Sequence, residues 1–275
     1  ELMAHLPEGA LMERASTGLA SVCANLLADQ GVSGSNIAIL VGSGNNGGDA
    51  LYAGALLVRR GARVDAIQLG ERIHEGGREA LLAAGGRVLR ASDTLRASEA
   101  LVDADLVLDG IVGIGGSGAL QPMAADLVAS AVEGGALLVA VDIPSGVNAD
   151  TGAVTDRGAV VDADVSVTFG CLKPGLLLSP GRDHAGAVLL VDIGLDGTLP
   201  AAQVRVVDDI AAAVPEPQAE DYKYSRGVVG VAAGSSRYRG AAFMCTGAAR
   251  YGGAGMVHFL DRGDGLAPAV VDRFW

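Results

Sequence analysis

The chain has 275 residues and a net charge of −12, and it is 50% hydrophobic but only 4% aromatic. That length allows one large or two modest domains, with a core of Ala, Val, Leu and Ile such as a parallel sheet packed between helices requires. An acidic chain without blocks of Lys or Arg excludes a nucleic-acid or anionic-membrane surface. Any phosphate site must then be local and built mainly from backbone.

In chain order, residues 10–29 predict an amphipathic helix with Leu11, Ala15, Leu19, Val22 and Leu26 on one face. Strands are expected at 36–41, 63–69, 106–111, 136–143, 164–169 and 187–193, and helices at 48–60, 75–84 and 121–133. The charged run 92–105 reads as a solvated face. Alternation of strands and helices predicts a Rossmann-like, doubly wound, mostly parallel sheet in a three-layer αβα sandwich. The polar stretch 208–222, with its prolines, predicts a linker between a first domain, 1–207, and a second segment, 223–275. That segment holds one strand–helix–strand unit, at 227–233, 241–251 and 256–260. It falls short of the roughly 100 residues such a domain needs, so an incomplete domain is expected. The chain also opens on Glu1 rather than Met, and residues upstream are expected.

Cys23, Cys171 and Cys245 are odd in number and share no CxxC spacing, which fits buried, reduced thiols in a cytoplasmic protein. The apolar runs are too short to span a bilayer, and no secretory signal pattern opens the chain. His5, His74, His184 and His258 lie apart, without metal-ligand spacing, and receive no role.

Chemistry is expected at three loops that follow strands. The first reads Val41-Gly-Ser-Gly-Asn-Asn-Gly-Gly-Asp49. Its glycines let backbone N–H groups approach an anion at a helix N-terminus, which carries a partial positive charge. Asn45, Asn46 and Asp49 add polar groups that a plain phosphate cradle does not need. Gly42-x-Gly44-x-x-Gly47 alone also matches the dinucleotide fingerprint, with Asp65 near the place of the ribose-binding acid. The second loop follows Asp109 and runs from Gly110 to Ala119; the third reads Asp142-Ile-Pro-Ser145 and continues to Asp150. A single strand-end aspartate is usually a cap, but three acid-bearing loops on one sheet edge point to a shared site.

Together these loops resemble the NAD(P)H-hydrate epimerase family, the YjeF N-terminal domain. The matching motifs are Gly44-Asn-Asn-Gly-Gly-Asp49, Leu108-Asp-Gly-Ile-Val-Gly113, Val141-Asp-Ile-Pro-Ser-Gly146 with Asp150-Thr-Gly152, and Thr168-Phe-Gly-Cys-Leu-Lys-Pro-Gly175. Residues 223–258 resemble the opening of the ADP-dependent NAD(P)H-hydrate dehydratases, of ribokinase-like fold. The resemblance implies a nicotinamide-nucleotide repair enzyme that interconverts the R and S forms of hydrated NADH or NADPH. It also implies a bifunctional parent whose dehydratase half, incomplete here, would use ADP or ATP. Substrate contacts are implied for Asn45, Asn46, Gly47, Gly48 and Asp49, for Gly113, Ile114, Gly115, Gly116, Ser117, Gly118 and Ala119, for Asp142, and for Ala241 in the second segment. Asn46, Asp109 and Ser145 are the implied ligands of a potassium ion, an oxygen-only set with nothing to attract zinc. A homodimer is the implied assembly.

Epimerisation requires a planar or ring-opened intermediate and proton transfer at oxygen. Asp142 is the first candidate for that transfer and Asp49 the second, with a purely binding role as the rival for Asp142. Lys173 either holds a phosphate near the site or is an ordinary surface lysine. Two other functions compete: a nicotinamide-dependent oxidoreductase using the Gly42-Gly44-Gly47 turn, and a non-catalytic nucleotide-binding scaffold. No Tyr-x-x-x-Lys arrangement supports the former, and the retained polar loop residues count against the latter.

Overall fold

The computed structural model describes residues 7, 9–29, 31–116, 118–156, 158–195, 199, 201–202, 216–261, 263 and 265–274. The chain forms two compact units, Glu1–Val204 and Arg205–Trp275.

The first unit is built on a seven-stranded sheet. Its strands are β1 (Asn36–Val41), β2 (Arg63–Gln68), β3 (Arg87–Arg90), β4 (Leu106–Gly110), β5 (Leu137–Val141), β6 (Val165–Phe169) and β7 (Ala187–Val191). They lie in the order β3-β2-β1-β4-β5-β6-β7, and every neighbouring pair is parallel. The expected doubly wound αβα sandwich is therefore the observed one. Strand order reverses between β1 and β4, and the crevice beyond their C-terminal ends is where ligands of such sheets bind.

Side-chain alternation assigns the two faces. Ile37, Ile39 and Val41 of β1 join one core cluster, while Ala38 and Leu40 join the other. The first cluster takes in α1 (Ala10–Leu26), α2 (Asn45–Arg59) and α3 (Glu75–Ala84), through residues such as Leu19, Leu51, Leu57 and Leu81. On the opposite face, α4 (Thr94–Val102) and α5 (Pro122–Gly134) pack through Ala97, Leu101, Leu127, Val128 and Ala131. Small residues set the spacing of α2 from the sheet: a Cβ on Gly54 would lie 2.6 Å from the Ile39 Cδ1 atom.

Three local departures have physical causes. The hydrophobic pattern does not predict β3 or α4, and 92–105 is not merely a solvated face. β3 is an edge strand with Arg at both ends, and α4 buries only Ala97 and Leu101. The second helix begins at Asn45, earlier than the pattern indicates. Asn and Gly are poor helix formers, so tertiary packing of Gly47 against the Gly42 carbonyl overrides propensity there. Only Cys23 of the three free cysteines is buried; Cys171 is half-buried and Cys245 exposed. Burial pushes the Cys23 thiol up to about 12.

The second unit contains β8 (Val228–Val231), α6 (Arg239–Tyr251), β9 (Met256–Phe259) and α7 (Ala267–Phe274). β8 and β9 pair in parallel, and Ala242, Leu266 and Val270 form a small core. Residues 208–215 of the expected linker lie outside the described residues. No helix among the described residues is long and apolar enough to cross a membrane.

Candidate functional site

The loops after β1, β4 and β5 converge over the crevice. Gly42 lies against the turn after β4, where an added Cβ would sit 1.8 Å from the Ile111 carbonyl oxygen. Gly47 likewise faces the Gly42 carbonyl, at 2.5 Å. These glycines allow close contact of backbone with backbone. Gly44 differs: it caps α2 with extended φ, and nothing lies within 4 Å of its Cβ position. The open approach to the α2 N-terminus is therefore at Gly44.

Asp109 and Ser145 meet on the far side of that turn. Ser145 Oγ donates to Asp109 Oδ1 (2.6 Å), Ser145 N to Oδ2 (2.8 Å) and Ile111 N to Oδ1 (3.2 Å). The Val112 amide in turn donates to Ser145 Oγ (3.0 Å). Burial raises the Asp109 carboxyl to about 6 despite these donors. Asn46 points toward the same loop, since a Cβ on Gly113 would come within 3.1 Å of its Oδ1. Its Nδ2 is buried without a partner. The three residues expected to hold a cation are thus neighbours of one loop.

Asp142 stands at the end of β5 with φ +69°, the single positive φ outside glycine among the described residues. A non-glycine residue held there is strained, and such strain concentrates at functional sites. Its Oδ1 accepts from Thr168 Oγ1 (3.1 Å), from the Phe169 amide (3.3 Å) and from Lys173 Nζ. Lys173 also donates to Thr168 Oγ1 (2.9 Å) and to the Phe169 carbonyl (2.9 Å). Both members of the pair are nearly buried, so Lys173 is not the surface lysine that is the commoner outcome for its type. Its place in Thr168–Gly175, the fourth motif, is the sequence signal for it.

Asp49 lies on α2, just past its first turn. Its Oδ1 is buried without a hydrogen-bond partner. Burial first, and the charge of Asp142 second, raise its carboxyl to about 7. Asp142 is paired with Lys173, whereas Asp49 has no such partner, so Asp49 is the protonatable member of the two.

Two cavities flank the loop after β4. One of about 580 Å³ is lined by Gly42, Ser43, Gly116, Gly118, Ala119 and Ser145, among mostly apolar side chains. The other, about 940 Å³, is lined by Asn45, Asp49, Tyr52, His74, Ile114 and Phe169, together with the start of α1. Only the second exposes titratable side chains. Gly115 stands open to solvent, and Ser117 lies outside the described residues. Gly48 is buried beneath His74, and Ala241 lies in the first turn of α6 in the second unit. Asp65 is engaged by Arg87 through two 2.5 Å contacts, which leaves no free ribose-binding acid on β2.

The model of the YjeF-related protein N-terminus matches residues 8–175. A bifunctional NAD(P)H-hydrate repair enzyme of Mycobacterium leprae is 47% identical over 94% of this chain and 52% of its own length. An NAD(P)H-hydrate epimerase of Clavibacter michiganensis is 46% identical over 68% of this chain and 82% of its own. The chain spans about half the length of the bifunctional relatives it matches. Among solved structures, yeast ynu0 has the same fold, with a TM-score of 0.55 and 22% identity over 65% of this chain and 77% of that one. This chain belongs to the family of YjeF-related protein N-termini.

Proposed function

We propose that the chain epimerises hydrated NADH or NADPH. The observation that carries this reading is Asp49 on the wall of a cavity at the strand ends, near enough to Asp142 for that charge to raise its carboxyl, with Lys173 paired to Asp142. The hydrated ring carries a hydroxyl on C6, next to the ring nitrogen. Asp49, protonated near neutrality, donates its proton to that hydroxyl as the C6–O bond breaks and water departs. The nitrogen lone pair becomes the C6=N bond of a planar cation. Water then adds from either face, and the Asp49 carboxylate takes back the proton. Asp142, paired with Lys173, stabilises the cation. General acid–base transfer of this kind contributes about 10²–10⁴-fold.

The phosphates fit the Gly44 opening and the Gly113–Ala119 loop, where backbone amides offset the acidic surroundings. A potassium ion suits Asn46, Asp109 and Ser145. The buried Asn46 amide has an orphan atom, and turning that amide over would present its oxygen instead. A cation there would hold Asp109 ionised and offset phosphate charge. The name of the bifunctional relatives supports a bifunctional parent; an ADP- or ATP-dependent dehydratase half, a cytoplasmic location and a homodimer complete the proposal.

The test is an epimerisation assay on the R form of hydrated NADPH, following the S form by chromatography. Wild type should exceed the spontaneous rate, and Asp49→Asn and Asp142→Asn should each lose at least about 100-fold. A folded wild type with no acceleration refutes the reading.

A further inference from the structure

The larger cavity has a wall that neither the family motifs nor the mechanism above uses. His74 caps α3: its Nδ1 accepts from the Gly77 amide (3.1 Å). That bond places the ring proton on Nε2. Nε2 has no hydrogen-bond partner among the described residues, and His74 lines the cavity beside Asp49. Tyr52 meets the imidazole edge-on, with ring centroids 5.7 Å apart.

Two glycines make room for these rings. A Cβ on Gly48 would lie 2.8 Å from His74 Cγ, so the imidazole lies against the bare backbone of α2. A Cβ on Gly76 would lie 2.5 Å from the Tyr52 hydroxyl. Ile114, Phe169, Leu11, Met12 and Ile193 add apolar walls, and Asn45 a polar one. A flat ring with one polar substituent matches this lining: apolar faces, an aromatic edge and, in His74, an N–H donor fixed in place by the α3 cap. The smaller cavity has no titratable lining residue and offers no counterpart.

We infer that His74 is a substrate-binding residue: its Nε2–H donates to the carboxamide oxygen of the nicotinamide-type ring, which sits between Tyr52, Ile114 and Phe169 and presents C6 to Asp49. The inference rests on the epimerase reading for the identity of the ring. Its physical core is a ring-binding compartment in which His74 supplies a fixed polar contact. A hydrogen bond formed alike in ground and transition states governs binding rather than turnover.

Substitution can separate the two ring nitrogens. In His74→Asn the side-chain oxygen replaces Nδ1 as the α3 cap, a role Asn fills well, and the Nε2 donor is gone. In His74→Gln the side-chain amide reaches the Nε2 position, and the cap is lost. The full chain and both variants would be compared in the epimerisation assay, in calorimetric binding of NADPH and of ADP-ribose, and in thermal melting. The expected result for His74→Asn is a KM and an NADPH Kd raised about tenfold, with kcat and Tm close to wild type. His74→Gln should keep Kd within about threefold and lose Tm. ADP-ribose, which lacks the ring, should bind all three proteins alike.

Unchanged NADPH affinity in His74→Asn overturns the inference and leaves His74 as a cap only. Equal weakening in both variants also overturns the donor role, because it reports lost bulk. An equal loss of ADP-ribose affinity overturns the assignment to the ring. A wild type that binds NADPH but does not epimerise defeats the epimerase reading alone, and His74 is then judged on Kd. A wild type that fails to bind NADPH overturns this inference as well.

Discussion

Lys173 reaches back from the loop after β6 to close an ion pair on Asp142, the residue held at positive φ at the end of β5. The lysine places all three donors on Asp142, Thr168 and the Phe169 carbonyl, so it is fully committed inside the fold. It orients Asp142 rather than reaching out to a phosphate.

Removing that cation leaves a buried carboxylate without its partner. Lys173→Met should lower stability by about 3 kcal/mol, in the range for breaking one side of a buried pair. It should also lower kcat by about 100-fold, since Asp142 then loses the partner that holds its carboxylate in place. Urea unfolding and the epimerisation assay check the two effects separately. A variant as stable and as fast as wild type shows that the pair does neither job.

The raised carboxyls of Asp49 and Asp109 set the sign of the pH dependence. Both exceed the ordinary carboxylate value when folded, at about 7 and about 6. Between pH ~4 and ~7 the folded state therefore binds more protons than the unfolded one. Their contribution to stability is full below pH ~4, falls as pH rises, and levels off above pH ~7. Asp49→Asn should be more stable than wild type at pH 8, on the order of 2 kcal/mol, with the gain vanishing near pH 4. Denaturant unfolding at several pH values measures it. The rate of wild type should fall above pH ~7 as Asp49 loses the proton it donates.

The layering and the loops that meet at the candidate site are legible in the sequence, and the misses share a cause. Near-continuous apolar strands announce the parallel sheet, and the strand-end aspartates mark the edge where the candidate site lies. What periodicity does not reveal is partnership between loops. Lys173 and Asp142 lie on different strands' loops, so their pairing depends on β5 and β6 being neighbours. His74 carries no motif at all; its place follows from Gly48 and Gly76, whose missing side chains read in sequence only as glycine in a helix start. α4 was hidden because only Ala97 and Leu101 are buried along it.

A cation at Asn46, Asp109 and Ser145 should be visible without any substrate. Potassium binding stabilises the folded state by mass action, and the ionised Asp109 is what attracts it. At pH 8, exchanging sodium for potassium chloride at equal ionic strength should raise the Tm of wild type by several degrees. Asp109→Asn should show no such rise. A potassium response that survives in Asp109→Asn places the ion elsewhere.

Gly42 and Gly44 are two residues apart in one turn but answer to different neighbours. An alanine methyl at Gly42 would meet the Ile111 carbonyl oxygen at 1.8 Å, a backbone atom that cannot swing aside. Gly42→Ala should therefore cost about 3 kcal/mol or more, or fail to accumulate as folded protein, as overpacked sites do. A methyl at Gly44 meets nothing within 4 Å, and its extended φ of −99° suits any residue. Gly44→Ala should change stability by less than about 1 kcal/mol, the small loss expected at an N-cap. Its effect should appear in binding instead, because the methyl stands where a phosphate approaches the amides of Asn45 and Asn46. An ADP-ribose Kd raised about tenfold, with the fold intact, is the expected outcome. Unaltered affinity in Gly44→Ala would move the phosphates away from the α2 N-terminus and toward the Gly113–Ala119 loop alone.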